Sequence, residues 1–278
     1  MQLSLYFQES IRKKIRKKFK NYLFDESIFH LVRTAGYHDC IYSNLKKFEM
    51  TDSISLAYSR ASKYKIVPSI LKCIYNFEKK RLIKFERSII NNFNITYLIS
   101  NFDKKFITKK NNNILDIKVT KNNSKETIIK NLYNKKSQNL LFIGNFKSLS
   151  NKFASIELIK LINDFNNKYN QKLKIIFCGN AGFIEKYYFN IKNNSQWISW
   201  EELKKGEISF TLGICNNKII SGYQNKIRDY LNLNLPSLIY YKSFFSLSEN
   251  EKLKVEKYYN NRDFLNKLLK KTYFKNVI

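Results

Sequence analysis

The sequence predicts an α/β protein with two domains, each a parallel sheet covered by helices. Short apolar runs alternate with longer helical patterns along the 278 residues, of which 44% are hydrophobic. The runs are continuous and rich in β-branched side chains, which is typical of strands buried on both faces of a sheet. The polar stretch Lys121–Gln138 has few apolar side chains and separates the two halves. We therefore expect domains at residues 1–135 and 136–278, with a single domain as the alternative.

The individual elements follow from the same patterns. The apolar runs predict nine strands, at Leu3–Phe7, Ser27–Val32, Lys47–Met50, Thr96–Ser100, Ile114–Val119, Leu140–Gly144, Leu173–Gly179, Ile208–Ile214 and Ser237–Tyr240. Apolar positions spaced three and four residues apart predict seven helices, at Ser10–Tyr22, Pro68–Phe93, Asn151–Phe165, Phe183–Phe189, Gly222–Leu233, Glu249–Tyr259 and Asp263–Lys271. Strands that alternate with helices predict parallel sheets.

The composition excludes several classes of protein. With 15% aromatic residues, 7 Gly and 2 Pro, the chain is not a disordered protein, a coiled coil or an all-β fold rich in tight turns. The formal net charge of +29 predicts attraction to polyanions such as nucleic acid, anionic lipid or phosphorylated small molecules. The 35 Asn and the abundant Lys are spread along the whole chain, so a drift towards A/T-rich codons is a second explanation of the charge.

The cysteines and histidines indicate neither a metal site nor a secreted protein. The four cysteines form no CxxC pair, and His30 and His38 are the two histidines, so we expect no bound metal. Cys178 and Cys215 lie in apolar runs and are expected to be buried thiols of a reducing compartment. No run of 18 uncharged apolar residues predicts a membrane span, and the N-terminus lacks the apolar core of a signal peptide. The expected location is the cytoplasm.

One predicted helix, Ser10–Tyr22, is basic and amphipathic. Ile11, Ile15, Phe19 and Tyr22 share one face, and Arg and Lys residues surround the rest. Such a helix can lie on an anionic membrane surface. The alternative is an ordinary helix whose apolar stripe packs on the sheet while its lysines are solvated.

Signatures of catalysis are few, and strand-to-helix turns are the main candidates. The chain has no GxSxG, HExxH, Walker A or GxGxxG motif. Three turns resemble phosphate sites: Gly144-Asn145 after LLFI, Gly179 after KIIFC, and the helix opening at Gly222. Ligands of doubly wound sheets bind at the carboxyl ends of strands, where helix N-termini present free N–H groups. A glycine at a strand end can also serve turn geometry alone.

The third turn, SGYQNKIRDYLNLNLP, carries the most chemistry. Asn225 and Asp229 are four residues apart on one helix face, beside Lys226. Lys226 could neutralise a diphosphate, and Asp229 could accept hydrogen bonds from sugar hydroxyls. A solvated ion pair between Lys226 and Asp229 is the alternative.

The same segment resembles the nucleotide-sugar motif of bacterial retaining glycosyltransferases with the GT-B fold, of the polysaccharide-synthesis type. Residues of SGYQNKIRDYLNLNLPSLIYY fall in register with that motif, namely Gly222, Gln224, Asn225, Lys226, Asp229, Tyr230 and Pro236. FIGNFKSLSNKFA resembles the opening strand of the family's C-terminal domain. LVRTAGY, MTDSISLAYSRASKY and NFEKKRLIKFER resemble its N-terminal domain.

The resemblance implies two Rossmann-like domains and residue roles on each. On the donor side it places Gly144, Asn145, Lys152, Gly179, Gly222, Gln224, Asn225, Lys226 and Asp229, with Asp229 in place of the family's Glu at the ribose. On the acceptor side it places Arg33, Asp52 and Arg60. Catalytic roles are assigned to Asp52, Lys226 and Asp229. Asp52 has an alternative role as the N-cap of the following helix.

The implied activity is transfer of a hexose from a nucleoside diphosphate sugar to a glycan or lipid-linked acceptor, with retention and without a metal or cofactor. Arg or Lys would stabilise the departing diphosphate. Ser221 stands where relatives carry the first Glu of a carboxylate pair, and Asn234 replaces the Gly before Pro236. The family's first strands are not recognised, so we expect an incomplete N-terminal domain. An inactive relative acting as a partner subunit and a nucleic-acid-binding protein are the alternatives, although no RNA-binding motif is found and nucleic acid is not an expected partner.

Overall fold

The computed structural model describes residues 7–108, 116–119 and 131–272. The chain forms two compact units. Unit 1 comprises Met1–Asn123 and Ile219–Tyr223, and unit 2 comprises Ser124–Lys218 and Gln224–Ile278. The short segment Ile219–Tyr223 therefore belongs to unit 1, although the residues on both sides of it in the chain belong to unit 2. The units change between Asn123 and Ser124, about twelve residues before the predicted boundary between residues 135 and 136, and they differ from the prediction again at Ile219–Tyr223.

Unit 1 is a four-stranded parallel sheet with helices between its strands. Its elements are α1 (Glu9–Phe19), β1 (Leu23–His30), α2 (Val32–Ala35), β2 (Tyr42–Thr51), α3 (Ile54–Ala61), α4 (Ser69–Ile89), β3 (Ile95–Leu98), α5 (Asn101–Thr108) and β4 (Asp116–Val119), with short 3-10 turns at His38–Cys40 and Ile90–Asn92. The strand order is β1-β2-β3-β4, and every pair is parallel. Each crossover carries a helix, as parallel strands require.

The core of unit 1 lies between the sheet and its helices. Phe48 and Met50 of β2 pack with Leu98 of β3 and with aromatic and aliphatic side chains of the crossover helices. Phe93 stacks on Phe48 with ring centroids 4.9 Å apart. These buried side chains fix the carboxyl ends of β2 and β3, and hence the turn at Thr51–Ser53.

Unit 2 is a six-stranded parallel sheet. Its elements are β5 (Asn139–Ile143), α6 (Leu149–Tyr169), β6 (Lys174–Cys178), α7 (Phe183–Asn190), β7 (Ser195–Ile198), α8 (Trp200–Lys205), β8 (Leu212–Cys215), α9 (Asn225–Asn232), β9 (Ser237–Tyr240), α10 (Tyr241–Phe244), α11 (Glu249–Lys252), β10 (Val255–Tyr258) and α12 (Asn261–Thr272). Strands β5, β6 and β8 are almost fully buried, as the continuous apolar runs predict.

The strand order of unit 2 is β10-β9-β8-β5-β6-β7. From β5 the chain moves outward to β7, and then returns to β8 and moves outward on the other side to β10. The order therefore reverses between β5 and β8. In doubly wound sheets, ligands bind outside the carboxyl ends of the strands at this switch point.

Most predicted elements are confirmed, and several are corrected. The helix predicted over Glu249–Tyr259 is wrong beyond its first turn, because α11 ends at Lys252 and residues Val255–Tyr258 form the edge strand β10. The patterns miss α2, α5, β7, α8 and α10, and they anticipate α3 only as the helix that follows Asp52. The strand predicted at Leu3–Phe7 lies outside the described residues except for Phe7, as does the part of the predicted junction from residue 121 to 130.

The basic helix predicted at Ser10–Tyr22 forms as α1. None of its residues is buried. Of its apolar stripe, Ile15 and Phe19 are half-buried, while Ile11 and Tyr22 are exposed. Both interpretations of this helix therefore stay predictions.

Candidate functional site

The loops at the switch point of unit 2 are rich in asparagine. Strand β5 runs into Gly144 and Asn145, and β8 runs into Asn216 and Asn217. Asn216 donates from its side-chain nitrogen to the Ala154 carbonyl at 2.8 Å, which ties the end of β8 to α6. Polar groups of both strand ends thus lie where a parallel sheet of this order places its ligands.

Helix α9 is held against the same two strands by Tyr230. Its hydroxyl accepts a hydrogen bond from Ile143 N at 3.1 Å and donates one to Ile214 O at 2.7 Å. A side chain at Gly213 would overlap the Tyr230 ring, so the glycine makes room for it. Tyr230 therefore sets the position of the first turn of α9 within unit 2.

Lys226, in that first turn, is the centre of a buried polar cluster. Its amine donates to Asn151 Oδ1 and Asn217 Oδ1, both at 2.8 Å, and lies 3.9 Å from the centroid of the Phe142 ring. Asn217 also donates to Asn151 Oδ1 at 2.9 Å, and Asn151 donates to Asn145 O at 2.9 Å. We call Asn151, Asn217 and Lys226 the amide–lysine cluster.

The environment of Lys226 disfavours its charge. The side chain is 7% exposed, and burial lowers the pKa of Lys226 to about 8, although nearby Cys215 and Asp229 oppose this shift. A solvated ion pair with Asp229 is therefore wrong, because the amine bonds to amide oxygens instead. A lysine ammonium carries three N–H donors, and two of those of Lys226 bond to amide oxygens.

The other predicted donor residues of α9 are more accessible. Asn225 is exposed, and Gln224 is half-buried at the N-cap, where its carbonyl accepts from Ile227 N. Asp229 is half-buried, and burial raises the pKa of Asp229 to about 6 against the pull of Lys226 and Arg228. Their predicted contacts with the donor stay predictions.

Gly144 and Gly179 lie side by side at the ends of β5 and β6. Gly144 N donates to Cys178 O at 2.9 Å, and Phe146 N donates to Asn180 O at 2.7 Å. Gly179 has φ +128°, and a Cβ there would overlap the Gly144 carbonyl oxygen. The close approach of two backbones explains Gly179, whose predicted contact with the donor remains untested.

Lys152 of α6 is bound to the first turn of α7. Its amine pairs with Glu185 Oε1 at 2.6 Å, and the hydrogen bond from Lys152 leads the effects that hold the pKa of Glu185 below its usual value. Glu185 also accepts from Gly182 N at 2.9 Å, which caps α7. Lys152 therefore joins the N-terminal turns of α6 and α7, the helices that follow β5 and β6.

Gly222 lies in unit 1, with φ +61°. Its N–H donates to Asp103 Oδ2 at 2.9 Å, while Ser53 N donates to Asp103 Oδ1 at 3.0 Å. The amide that the sequence assigns to a donor phosphate is thus bound to a carboxylate. Asp103 is buried, and desolvation raises its pKa while both amides oppose the rise.

Asp52 and Arg60 hold the same segment, Ile219–Tyr223. Asp52 accepts a hydrogen bond from the Ser221 hydroxyl, and Arg60 donates to Ile220 O. Burial raises the pKa of Asp52, and the hydrogen bond from Ser221 opposes the rise. The N-cap role for Asp52 is wrong, because the cap of α3 is Ser53, whose Oγ accepts from Leu56 N.

Arg33 is exposed on α2. Its predicted role on the acceptor side stays a prediction, as does that of Arg60. Among the residues that the structure describes, no group of three His, Cys, Asp or Glu side chains could hold a metal ion. In the same residues, no helix combines the length and apolar character needed to cross a membrane.

The sequence patterns single out neither the two asparagines of the amide–lysine cluster nor Asp103. For Asn217 a signal exists, because it is the second of two asparagines that follow the buried strand LGIC. For Asn151 the signal is weaker, since the residue reads as part of a helix start. Asp103 lies in NFDKKFIT, where no pattern marks it as a partner of a residue 119 positions away.

Comparison with known proteins identifies the fold. No protein-family model matches the chain, and no curated protein matches it by sequence. Among solved structures, TarM matches with a TM-score of 0.61 at 12% identity, over 93% of this chain and 50% of TarM. HepE from Anabaena in complex with UDP matches with a TM-score of 0.62 at 9% identity, over 94% of this chain and 72% of HepE.

An α,α-trehalose-phosphate synthase (UDP-forming) from Burkholderia vietnamiensis also matches, with a TM-score of 0.59 at 8% identity, over 97% of this chain and 70% of that one. The chain thus spans about half the length of TarM and about 70% of the other two. At such identities the likeness is one of fold. The chain has the α/β fold of the GT-B glycosyltransferases, with two parallel-sheet units.

Proposed function

We propose that the chain is a glycosyltransferase that binds a nucleoside diphosphate sugar at the switch point of unit 2. The observation that carries this proposal is the amide–lysine cluster, which lies at the ends of β5 and β8 where the strand order reverses. The GT-B fold adds support, since HepE is described in complex with UDP and the trehalose-phosphate synthase as UDP-forming.

The chemistry of the cluster suits a diphosphate that gains charge as it leaves. Lys226 supplies a positive charge in a site of low polarity, where electrostatic stabilisation is stronger than in water. Its pKa of about 8 leaves it mostly protonated at neutral pH. Asn151 and Asn217 hold the amine in place, so little reorganisation is needed during the reaction. Asp229 is proposed to accept hydrogen bonds from the ribose.

The proposal includes the finer parts of the expected activity. The transferred group is a hexose, the configuration at the anomeric carbon is retained, and no metal is used. The acceptor is a glycan or a lipid-linked intermediate of surface polysaccharide synthesis such as lipopolysaccharide or capsule. The chain works at the inner face of the plasma membrane, in contact with it through residues 10–22, and nucleic acid is not a partner.

Calorimetric titration with UDP and with GDP tests the donor site. We expect Lys226→Met to weaken binding of the preferred nucleotide by at least tenfold, because a neutral side chain of similar length cannot balance phosphate charge. Lys267→Met is the matched control, since the Lys267 amine also bonds within unit 2, to Lys257 O at 2.5 Å, but lies on α12. Thermal melting checks that both variants fold.

The two outcomes are distinct. Equal heats for the wild type and Lys226→Met would remove the proposed site. Nucleotide binding without transfer or hydrolysis in a panel of sugar nucleotides would instead favour the inactive relative, to which Ser221 in place of a family Glu also points.

A further inference from the structure

We propose that one corner of unit 1 binds the surface of an anionic lipid bilayer, with lysines on the headgroups and aromatic and aliphatic side chains inserted between them. The corner consists of α1, the turn after it and the first residues of β1, together with Tyr42, and we call it the lysine–aromatic corner. The inference extends the membrane contact of residues 10–22 in the proposed function. It rests on that function, because the proposed acceptor is what brings the chain to a membrane. Its test measures binding alone.

The way α1 is attached to the rest of unit 1 leaves its apolar side chains only partly covered: Ile11 is 39% exposed, and Ile15 and Phe19 are half-buried. Arg12 donates to Gly36 O at 2.8 Å, and Arg16 pairs with Asp39 at 2.6 Å. At the start of the helix, Gln8 N donates to the Tyr37 hydroxyl at 3.0 Å. These polar contacts fix the helix, and none of its residues is buried. An amphipathic helix normally attaches through its apolar face. Here the contacts named above are polar, so the exposed part of the apolar face can meet another partner.

The charges of α1 divide into two groups. Seven of the twelve residues from 9 to 20 are Arg or Lys, and the two arginines are the ones that bond to unit 1. The five lysines, at positions 13, 14, 17, 18 and 20, are all exposed. The Lys18 amine lies 5.5 Å from the centroid of the Phe19 ring. None of the five forms an ion pair with a described residue. Lysines near an anionic leaflet are attracted to it within about a Debye length.

Apolar side chains continue from the end of α1 into β1. Phe19, Tyr22 and Phe24 form one aromatic group, with ring centroids 5.8 to 6.3 Å apart. Tyr22 is 59% exposed and Leu23 is 69% exposed. Leu23 lies opposite Tyr42, which is 60% exposed, in the parallel register of β1 and β2. Tyrosine suits the membrane interface because its ring is apolar and its hydroxyl is polar.

The size and charge of the corner favour a bilayer over other partners. A stable protein interface buries about 800 Å² on each side and is depleted in lysine. This corner has three strongly exposed apolar side chains beside five lysines. It is therefore small for a protein interface, and it is rich in lysine where such interfaces are poor in it. Nucleic acid would use the lysines but leave Leu23 without a role. Interfacial binding uses both apolar insertion and attraction to headgroups.

Vesicle co-sedimentation of the full chain tests the inference. One set of vesicles contains phosphatidylcholine alone, and the other contains phosphatidylcholine with about one third of the anionic lipid phosphatidylglycerol. The charge variant replaces Lys13, Lys14, Lys17 and Lys18 by Gln. Its matched control replaces Lys160, Lys168, Lys172 and Lys174 by Gln, which are equally exposed in unit 2 and change the net charge by the same amount.

The apolar variant combines Tyr22→Ser and Leu23→Ser. Its matched control combines Phe183→Ser and Ile184→Ser in unit 2, where the side chains are 84% and 77% exposed. Circular dichroism and thermal melting establish that each variant folds.

We expect the wild type to bind anionic vesicles at least tenfold more strongly than neutral ones. The charge variant should lose at least tenfold in binding and the apolar variant at least fivefold, while both controls stay within twofold of wild type. Equal losses in the charge variant and its control would show that the net charge alone binds, and would overturn the inference. An unchanged apolar variant would also overturn it, because binding without insertion is mere attraction to phosphate. The nucleotide titrations above are independent of either result.

Discussion

At the scale of single residues, the buried side chain of Glu86 explains how the turn after β2 keeps its conformation. Glu86 is fully buried in unit 1, yet its carboxylate accepts from Ser53 Oγ at 2.8 Å, from Ser55 N at 3.0 Å and from Ser55 Oγ at 2.5 Å. A buried charge is tolerated only when such bonds replace water. Hydrogen bonds to Glu86 therefore stabilise the turn that carries Asp52 and Ser53.

Glu86→Gln should remove a pH dependence of stability. Burial raises the pKa of Glu86 from 4.5 to about 7, so between these values the folded chain holds a proton that the unfolded chain releases. The free energy of unfolding contributed by this group is therefore highest below pH 4.5 and falls as the pH rises to 7, by at most about 3 kcal/mol. Urea unfolding at pH 5 and pH 8 should show a smaller decline in the variant.

Asp25→Asn serves as the control for that measurement. Asp25 is exposed on β1, so its substitution should leave the decline between pH 5 and pH 8 as in the wild type. A decline in Glu86→Gln equal to that in the wild type would contradict the account of Glu86.

Sequence reasoning locates the site better than it assigns individual roles. Lys226 and Asp229 are found from their helical spacing, yet the burial of Lys226 depends on Phe142, Asn151 and Asn217, which are distant in the chain. Asp52 is recognised as a residue before a helix, but the choice of Ser53 as the cap depends on backbone angles at the turn. A single sequence carries no information on such long-range contacts.

At the scale of elements, the carboxyl ends of β5 and β6 pack directly on each other, because Gly179 allows their backbones to come into contact. Gly179→Ala should destabilise unit 2 by at least about 2 kcal/mol, since a methyl group at φ +128° would meet the Gly144 carbonyl oxygen, a backbone atom that cannot turn aside. It should also weaken nucleotide binding, because Gly144 leads into the candidate site. Urea unfolding and calorimetry measure the two effects.

Gly182→Ala, three residues later, is the matched control. Its φ is −76°, and a methyl group there would meet the flexible Glu185 side chain. The expected loss is about 1 kcal/mol, the usual cost of alanine at an N-cap. Similar losses in both variants would contradict the role given to the contact between Gly179 and Gly144.

The elements that sequence patterns miss are short or end without a marker. Helix α8 has six residues and β7 has four, which is too short for periodicity to register. The wrong helix at Glu249–Tyr259 has a true start, because Ser248 and Glu251 form a capping box. No Gly or Pro marks its end after Lys252, and β10 joins the edge of the sheet by pairing with β9, which a local pattern does not reveal.

At the scale of the whole molecule, the net charge of +29 has two components that behave differently in salt. Most lysines lie on the surface and are screened by ions within about 10 Å at 0.1 M salt. Lys226 is buried, and a charge in that position is screened much less. A ligand of the switch point and a ligand of the surface should therefore differ in their salt dependence.

We expect binding of UDP to depend weakly on salt and binding of duplex DNA to depend steeply on it. A polyanion that displaces counterions from several lysines loses affinity with a slope of about −0.9 per phosphate contacted in a plot of log K against log salt concentration. Calorimetry from 50 to 500 mM NaCl should give a slope no steeper than about −1 for UDP and steeper than about −4 for DNA. Lys226→Met should weaken UDP binding at least tenfold yet leave the DNA slope unchanged, because the buried amine takes no part in surface attraction. If UDP instead followed the DNA slope, or survived the loss of Lys226, the nucleotide would be a ligand of the diffuse positive surface, and the amide–lysine cluster would be a structural feature of the fold alone.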